Sequence, residues 1–211
     1  MINTTLRPIT VVSLRKNFDD QSLSPFTTYC NLVMDYNTTC ATIKSATDTP
    51  HNYGGACPPS SFNSYGMSGY VCYVGNEEAS TKVNTESAII YSFSLPSGTY
   101  NYNLSFKHLA FGSDGSDGGD VCVAEVLLFG SVVWSVNIGK CTVSYGTVTK
   151  TGTVNWGGGS TELRMRLRVQ RVTGGWMDHR NFTVDDVDLT ITTTIPPPPQ
   201  IESPSMSLLI A

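Results

Sequence analysis

From residue 83 onward, hydrophobic and polar positions alternate along the chain. The runs are "SAIIYSFSL", "GTYNYNLSFKHLAF", "DVCVAEVLLF", "SVVWSVNI", "TVSYGTVTKTGTV", "TELRMRLRVQRV" and "FTVDDVDLTITTT". A period of two places successive side chains on opposite faces of a strand, so each run predicts a β-strand with one face turned to a core. Between the runs lie "LPSG", "DGSDGG", "FGS" and "WGGGS", turn sequences at roughly the 8–12-residue spacing of a β-sandwich. No stretch carries the period of an amphipathic helix. The pattern predicts an all-β, antiparallel β-sandwich.

Residues 27–82 read differently: rich in Gly, Pro, Ser, Asn and cysteine and poor in long alternating runs, as a loop region stapled by disulfides would be. The ends differ again. "IPPPPQIESP" cannot join a sheet interior, because proline lacks the N–H that a ladder needs. These boundaries predict a strand-like tail over 1–16, a sandwich domain over 17–194 and a proline-rich tail over 195–211. Both tails are apolar enough to add a strand to a neighbour's sheet; in the first, Ile9 and Val11 lie on one face and Val12 and Leu14 on the other.

Of the 211 residues only 14% are charged, and the net charge is −4, without the basic excess that a nucleic-acid partner requires. No segment is apolar and long enough to span a membrane. Six cysteines, Cys30, Cys40, Cys57, Cys72, Cys122 and Cys141, have no zinc-type spacing and read as disulfides. Pairing in sequence order gives 30–40, 57–72 and 122–141, each short loop contributing about 3 kcal/mol. Asn3, Asn37, Asn103 and Asn181 each open an Asn-x-Ser/Thr acceptor for glycosylation. Disulfides and acceptors together predict an extracellular or cell-surface protein. The opening "MINTTLRPITVVSLRK" does not read as a signal peptide, which predicts a mature or excised form.

The chemistry begins with "NFTVDDVDLTI". Strict alternation puts Asp185 on the face of Val187, Leu189 and Ile191, towards the core, where a lone carboxylate is costly. Either a cation or a set of backbone N–H groups or an arginine must hold it. "GSDGSDGGD" sets Asp114, Asp117 and Asp120 in a glycine-rich loop, a second candidate cation site or a solvated hairpin. In "TELRMRLRVQR", Arg164, Arg166 and Arg168 share the outer face, available to an acidic glycan, to a neighbouring subunit or to Asp186 and Asp188 of the same sheet. Trp156, Trp176 and Tyr145 lie in or near turn-like stretches and are candidates for stacking on a sugar, whereas Trp134 lies mid-strand and reads as core. No spacing marks a nucleophile with its base, so catalysis is not predicted.

With "NFDDQSLSPFTTY" near the start, "LPSGTYNYNLSF" in the middle and "NFTVDDVDLTI" at the end, the chain resembles the galactose-binding-domain-like jelly roll of many carbohydrate-binding modules over about residues 17–191. The resemblance implies that an acid of the first strand and the first Asp of the last strand help hold a structural calcium, here Asp19 and Asp185. Asp19, Gln21 and Phe26 stand where the family has Glu, Gly and Trp. Two functions follow. One is a structural subunit that polymerises into a filament or layer through its terminal strands; the other is a glycan-binding module of a secreted or surface protein.

Overall fold

The computed structural model describes residues 6–31, 39–49, 60–77, 84–112, 121–171 and 180–195. The tail over 196–211, with Asn3, Asn37, Cys57, Asp114, Asp117, Asp120 and Trp176, lies outside the described residues. Strands β1 (Arg7–Lys16), β2 (Thr27–Cys30), β3 (Thr39–Ser45), β4 (Tyr70–Glu77), β5 (Glu86–Gly112), β6 (Val121–Leu128), β7 (Ser131–Ile138), β8 (Val143–Arg171) and β9 (Arg180–Ile195) form one antiparallel sheet. The order is β3-β4-β9-β5-β8-β6-β7, with β1 on β9 and β2 on β5.

One sheet makes a sandwich because its two longest strands each run through both layers. β5 and β8 pair from Glu86↔Arg168 to Phe111↔Val143, with a break in the ladder at Pro96 and Gly158. Gly158 and Gly159 have φ of +94° and +102°, a conformation that side chains rarely adopt. A Cβ on Gly158 would come 3.0 Å from the Ser97 nitrogen. The run "WGGGS" is therefore the corner of the sandwich, and the Tyr100 hydroxyl straps it by donating to the Pro96 carbonyl at 2.9 Å. On one side of the corner lie β2, β6 and β7; on the other lie β9, β4, β3 and β1.

The inner faces bury Ile89, Leu104, Phe106, Val126, Leu163, Met165, Leu167, Phe182 and Leu189. Trp134 of β7 reaches across and meets Phe106 at 5.5 Å and Phe182 at 5.9 Å between ring centroids, so it belongs to the core as its mid-strand place predicts. A second cluster lies outside the sheet, where the 3-10 helix Phe62–Tyr65 and Met67 cover Val71, Tyr73, Leu109 and Phe111.

Three expectations need correction. Residues 7–16 are no free tail: β1 pairs with β9 from Arg7↔Ile195 to Lys16↔Val187 and buries Val12 and Leu14. Its pairing is satisfied within the chain, and Pro8 with the bulge at Val11 makes its outer edge a poor template for another strand. Among the cysteines, 30–40 bond with Cα atoms 5.8 Å apart, tying β2 to β3. Cys72 and Cys122 instead keep buried thiols facing the core, and Cys141 is in a disulfide whose partner lies outside the described residues, so neither 57–72 nor 122–141 forms. Asn181 is fully buried and accepts a hydrogen bond from the Tyr73 hydroxyl, which leaves no room for a glycan there. Asn103 is exposed on β5.

Candidate functional site

The corner glycines place Trp156 beside an open edge. β6 ends at Leu128, opposite Leu163, and β8 continues past it. The groove left there has a volume of about 340 Å³ and is lined by Ser92, Phe129, Gly130, Trp156, Ser160, Thr161 and Glu162. Trp156 is half-buried, and its indole N–H donates to the Gly159 carbonyl at 3.3 Å. Its ring lies 5.6 Å from that of Phe129, which meets Phe93 edge-on at 5.8 Å. The contacts continue through Tyr91 and Phe26 to Phe18 in the core, so the aromatic floor is anchored from below.

Phe129 and Gly130 form the β6–β7 turn, with φ of +54° and +74°. Hairpin turns of this hand favour Asn-Gly, because a bulky side chain at positive φ is strained. The ring packing offsets that cost and fixes a phenyl group in the groove floor. The sequence marks "FGS" as a turn, and a phenylalanine where Asn is favoured is its one sign of a ring placed there.

Other expected site residues lie elsewhere. Tyr145 is on the opposite face of β8, 59% exposed, with Tyr65 edge-on at 5.2 Å. Arg164, Arg166 and Arg168 do line one face, yet all three are held by glutamates. Arg164 binds Glu86 and, at 2.7 Å, Glu162; Arg166 binds Glu86 and Glu125, each at 2.6 Å; Arg168 binds Glu125 at 2.9 Å. Three guanidiniums against three carboxylates leave no open cationic stripe. The partners are not Asp186 and Asp188, which bind Lys107 at 2.8 Å and Arg15 at 3.0 Å. Burial alone would push the Glu125 carboxyl up, but Arg168 and Arg166 hold it below the usual range.

Asp185 is buried, but against the second cluster. Asp186 has a φ of +49° and lies in a bulge, where Ser105 faces Asp188 while Lys107 faces Asp185. The extra residue reverses the alternation, so Asp185 shares a face with Thr183 and Asn181, not with Val187. Its Oδ1 accepts the Asp186 N–H at 2.7 Å, the Ser68 N–H also donates to the carboxylate, and Oδ2 has no partner. Burial pushes its pKa up to about 6. Asp19 uses Oδ1 for the Tyr70 N–H at 3.0 Å and Oδ2 for the Asn17 amide at 2.8 Å; a Cβ at Gly69 would strike this carboxylate. Among the described residues no three Asp, Glu, His or Cys side chains gather as a metal-holding group. Asp185 keeps one buried oxygen without a partner, and the two carboxylates alone fall short of the six to eight oxygens that calcium takes.

His108, the only histidine among the described residues, sits in the core. Its Nδ1 donates to the Gly146 carbonyl and its Nε2 accepts from the Ser144 hydroxyl, each at 3.0 Å, and burial lowers its pKa.

No family model matches the chain, and no curated protein does. Solved structures give partial likenesses. A cyclase from Fischerella sp. TAU is 18% identical, with 88% of this chain and 98% of that chain covered and a TM-score of 0.41. TmCBM61 in complex with beta-1,4-galactotriose is 14% identical, with 82% and 93% covered and a TM-score of 0.34. A family 35 carbohydrate-binding module from Clostridium thermocellum is 13% identical, with 82% and 98% covered and a TM-score of 0.26. Each likeness is partial, and the β-sandwich rests on the strand pairing described above.

Proposed function

We propose that this domain is a non-catalytic carbohydrate-binding module of an extracellular protein and that it takes sugar in the Trp156 groove. The observation that carries this reading is the aromatic floor of Trp156 and Phe129, with hydroxyls at Ser92, Ser160 and Thr161 and a carboxylate at Glu162 around it. A pyranose has an apolar C–H face and a polar rim, and this groove offers a partner for each. Glu162, one-third exposed and held by Arg164, is a fixed acceptor for sugar hydroxyls. The Cys30–Cys40 disulfide supports an oxidising compartment. Assembly into a filament through β1 has no such support, because β1 is already paired within the chain.

Titration of tryptophan fluorescence with neutral di- and trisaccharides tests the reading. Wild type is expected to bind one or more of them. Trp156→Ala is expected to reduce affinity by about tenfold or more, corresponding to about 1.4 kcal/mol of lost stacking. Equal binding by wild type and Trp156→Ala would overturn the assignment of the site, and no binding to a broad panel would overturn the function.

A further inference from the structure

The outer face of the layer that holds β9 is divided in two. One part is covered by the second hydrophobic cluster. The other is open, and its side chains follow a rule. Directly paired residues of an antiparallel sheet point to the same side, so the registers define rungs across four strands. One rung is Thr151 (β8), Asn103 (β5), Thr190 (β9) and Ser13 (β1); the next is Thr153, Asn101, Thr192 and Thr10. Thr99 pairs with Asn155 beyond them, and Thr147 and Thr149 extend the β8 row towards Tyr145. From Thr147 to Asn155 the row spans roughly 26 Å, and four strands are roughly 14 Å wide.

These two rungs contain no ionised side chain and no apolar one. All eight residues carry a hydroxyl or a carboxamide, groups that both donate and accept. Six are exposed, and Thr190 and Thr192 are partly so. Thr153 donates to the Asn101 carboxamide oxygen at 2.7 Å and Thr99 to that of Asn155 at 2.8 Å. Those bonds fix the amides with their NH₂ groups still available. Charge begins only at the next rung, with Asp188 and Arg15, and at Lys107 with Asp186. Opposite, in line with the β8 row, stands the exposed ring of Tyr145.

The chemistry of this face selects its occupant. A protein partner would need apolar or arginine anchors at the centre, and the rungs have neither. A nucleic acid would need a basic track. A long, uncharged, polyhydroxylated chain needs a row of neutral donors and acceptors with a ring on which to stack, and both are present. We infer that the Thr/Asn face between Tyr145 and Asn155 is a track for an extended neutral polysaccharide, separate from the Trp156 groove on the opposite face of β8. The inference rests on the glycan-binding reading and adds to it a ligand class: polymer chains rather than short or terminal sugars alone. Through the two sites, one domain would hold a long chain by more than one segment, raising avidity without new contacts at either.

The test is affinity electrophoresis in gels containing xylan, galactan, glucomannan or hydroxyethylcellulose, run with wild type, Trp156→Ala and the double variant Thr151→Glu/Thr153→Glu. Both threonines are exposed on a stretch of β8 that pairs only with β5, and an unchanged melting curve verifies the fold of the variant. At least one polymer is expected to retard wild type, and the double glutamate variant is expected to lose retardation by about tenfold or more in apparent affinity. The same variant should keep its trisaccharide binding in the fluorescence titration, which reads only the groove. Retardation equal to wild type in every polymer would overturn the track and leave the groove standing. Trisaccharide binding with no retardation of wild type would do the same. Failure of wild type in both assays would overturn track and groove together. A glycan attached to Asn103 in protein from its native source would also overturn the track, since it would stand on a central rung. Should Thr151→Glu/Thr153→Glu melt early, Tyr145→Ala replaces it with the same expected loss.

Discussion

Asp19 and Asp185 grip one turn from two ends of the chain: Asp19 accepts the Tyr70 N–H at 3.0 Å, and Asp185 accepts the N–H of Ser68. The residues before and after Gly69 are thereby fixed to the segment following β1 and to β9. The turn leads from the covering segment into β4, so the two acids position the lid over the second cluster.

That arrangement gives stability a definite slope with pH. Burial raises Asp185 from 3.8 to about 6, with Asp186 adding to the rise and the backbone N–H groups and Lys107 opposing it. The folded state keeps its proton to higher pH than the unfolded chain, so stability contributed by this group is present below about pH 4 and lost as pH rises to about 6. The loss is of the order of 3 kcal/mol at most. Asp185→Asn is expected to remove this slope and to raise the urea midpoint at pH 7. A lower midpoint for the variant, with a wild-type melting temperature that falls in EDTA, would instead reveal a bound cation.

Glu125 bridges Arg166 and Arg168 while only 7% exposed, and the two arginines are about one-fifth exposed. Glu125→Gln leaves two guanidiniums without their shared carboxylate. A cost of about 2 kcal/mol is expected, less than for a fully buried pair because water reaches the arginines. Urea unfolding of the variant measures it, and a change under 0.5 kcal/mol would show that the network is only a solvated surface.

The cysteines make a prediction that chemistry can count. Alkylation of the native protein should leave Cys72 and Cys122 unmodified, and alkylation after unfolding without reductant should label both. Peptide mapping should recover Cys30 linked to Cys40. Replacing that pair with serines is expected to cost about 3 kcal/mol, since the bond closes a loop with a sequence separation of 10.

Deleting residues 1–16 removes β1 together with the buried side chains of Val12 and Leu14 and exposes one side of β9. The two side chains alone account for about 4 kcal/mol. Thermal melting should show a large loss of stability. A shortened protein as stable as the full chain, with altered association state, would restore the idea of a strand offered to a neighbour.

The sandwich was legible because period-two alternation survives where a strand has one wet face. Leu163, Met165, Leu167 and Val169 are buried and the arginines between them face outward, as their spacing predicts. It failed at Asp185 because one left-handed residue, Asp186, inserts a bulge that no propensity announces. Cys30–Cys40 was legible from proximity, whereas Cys72 and Cys122 lie on core faces, a property of β4 and β6 that distance along the chain does not carry. The glycines that mark Trp156 in the sequence are the corner of the sandwich itself. Phe129 is the opposite case: turn chemistry announces the bend but not where its ring packs. The pairing of β1 with β9 joins residues more than 170 apart, as with Arg15 and Asp188, beyond the reach of any local rule.

The ladder in which Arg7 faces Ile195 sets the two ends of the fold side by side, about 5 Å apart. A unit closed in this way can be spliced into a surface loop of a host protein with almost no gap to bridge, since its entrance and exit share one doorway. The same geometry makes circular permutation simple: a linker of a few residues would join β9 to β1, and new ends could be opened at a hairpin elsewhere.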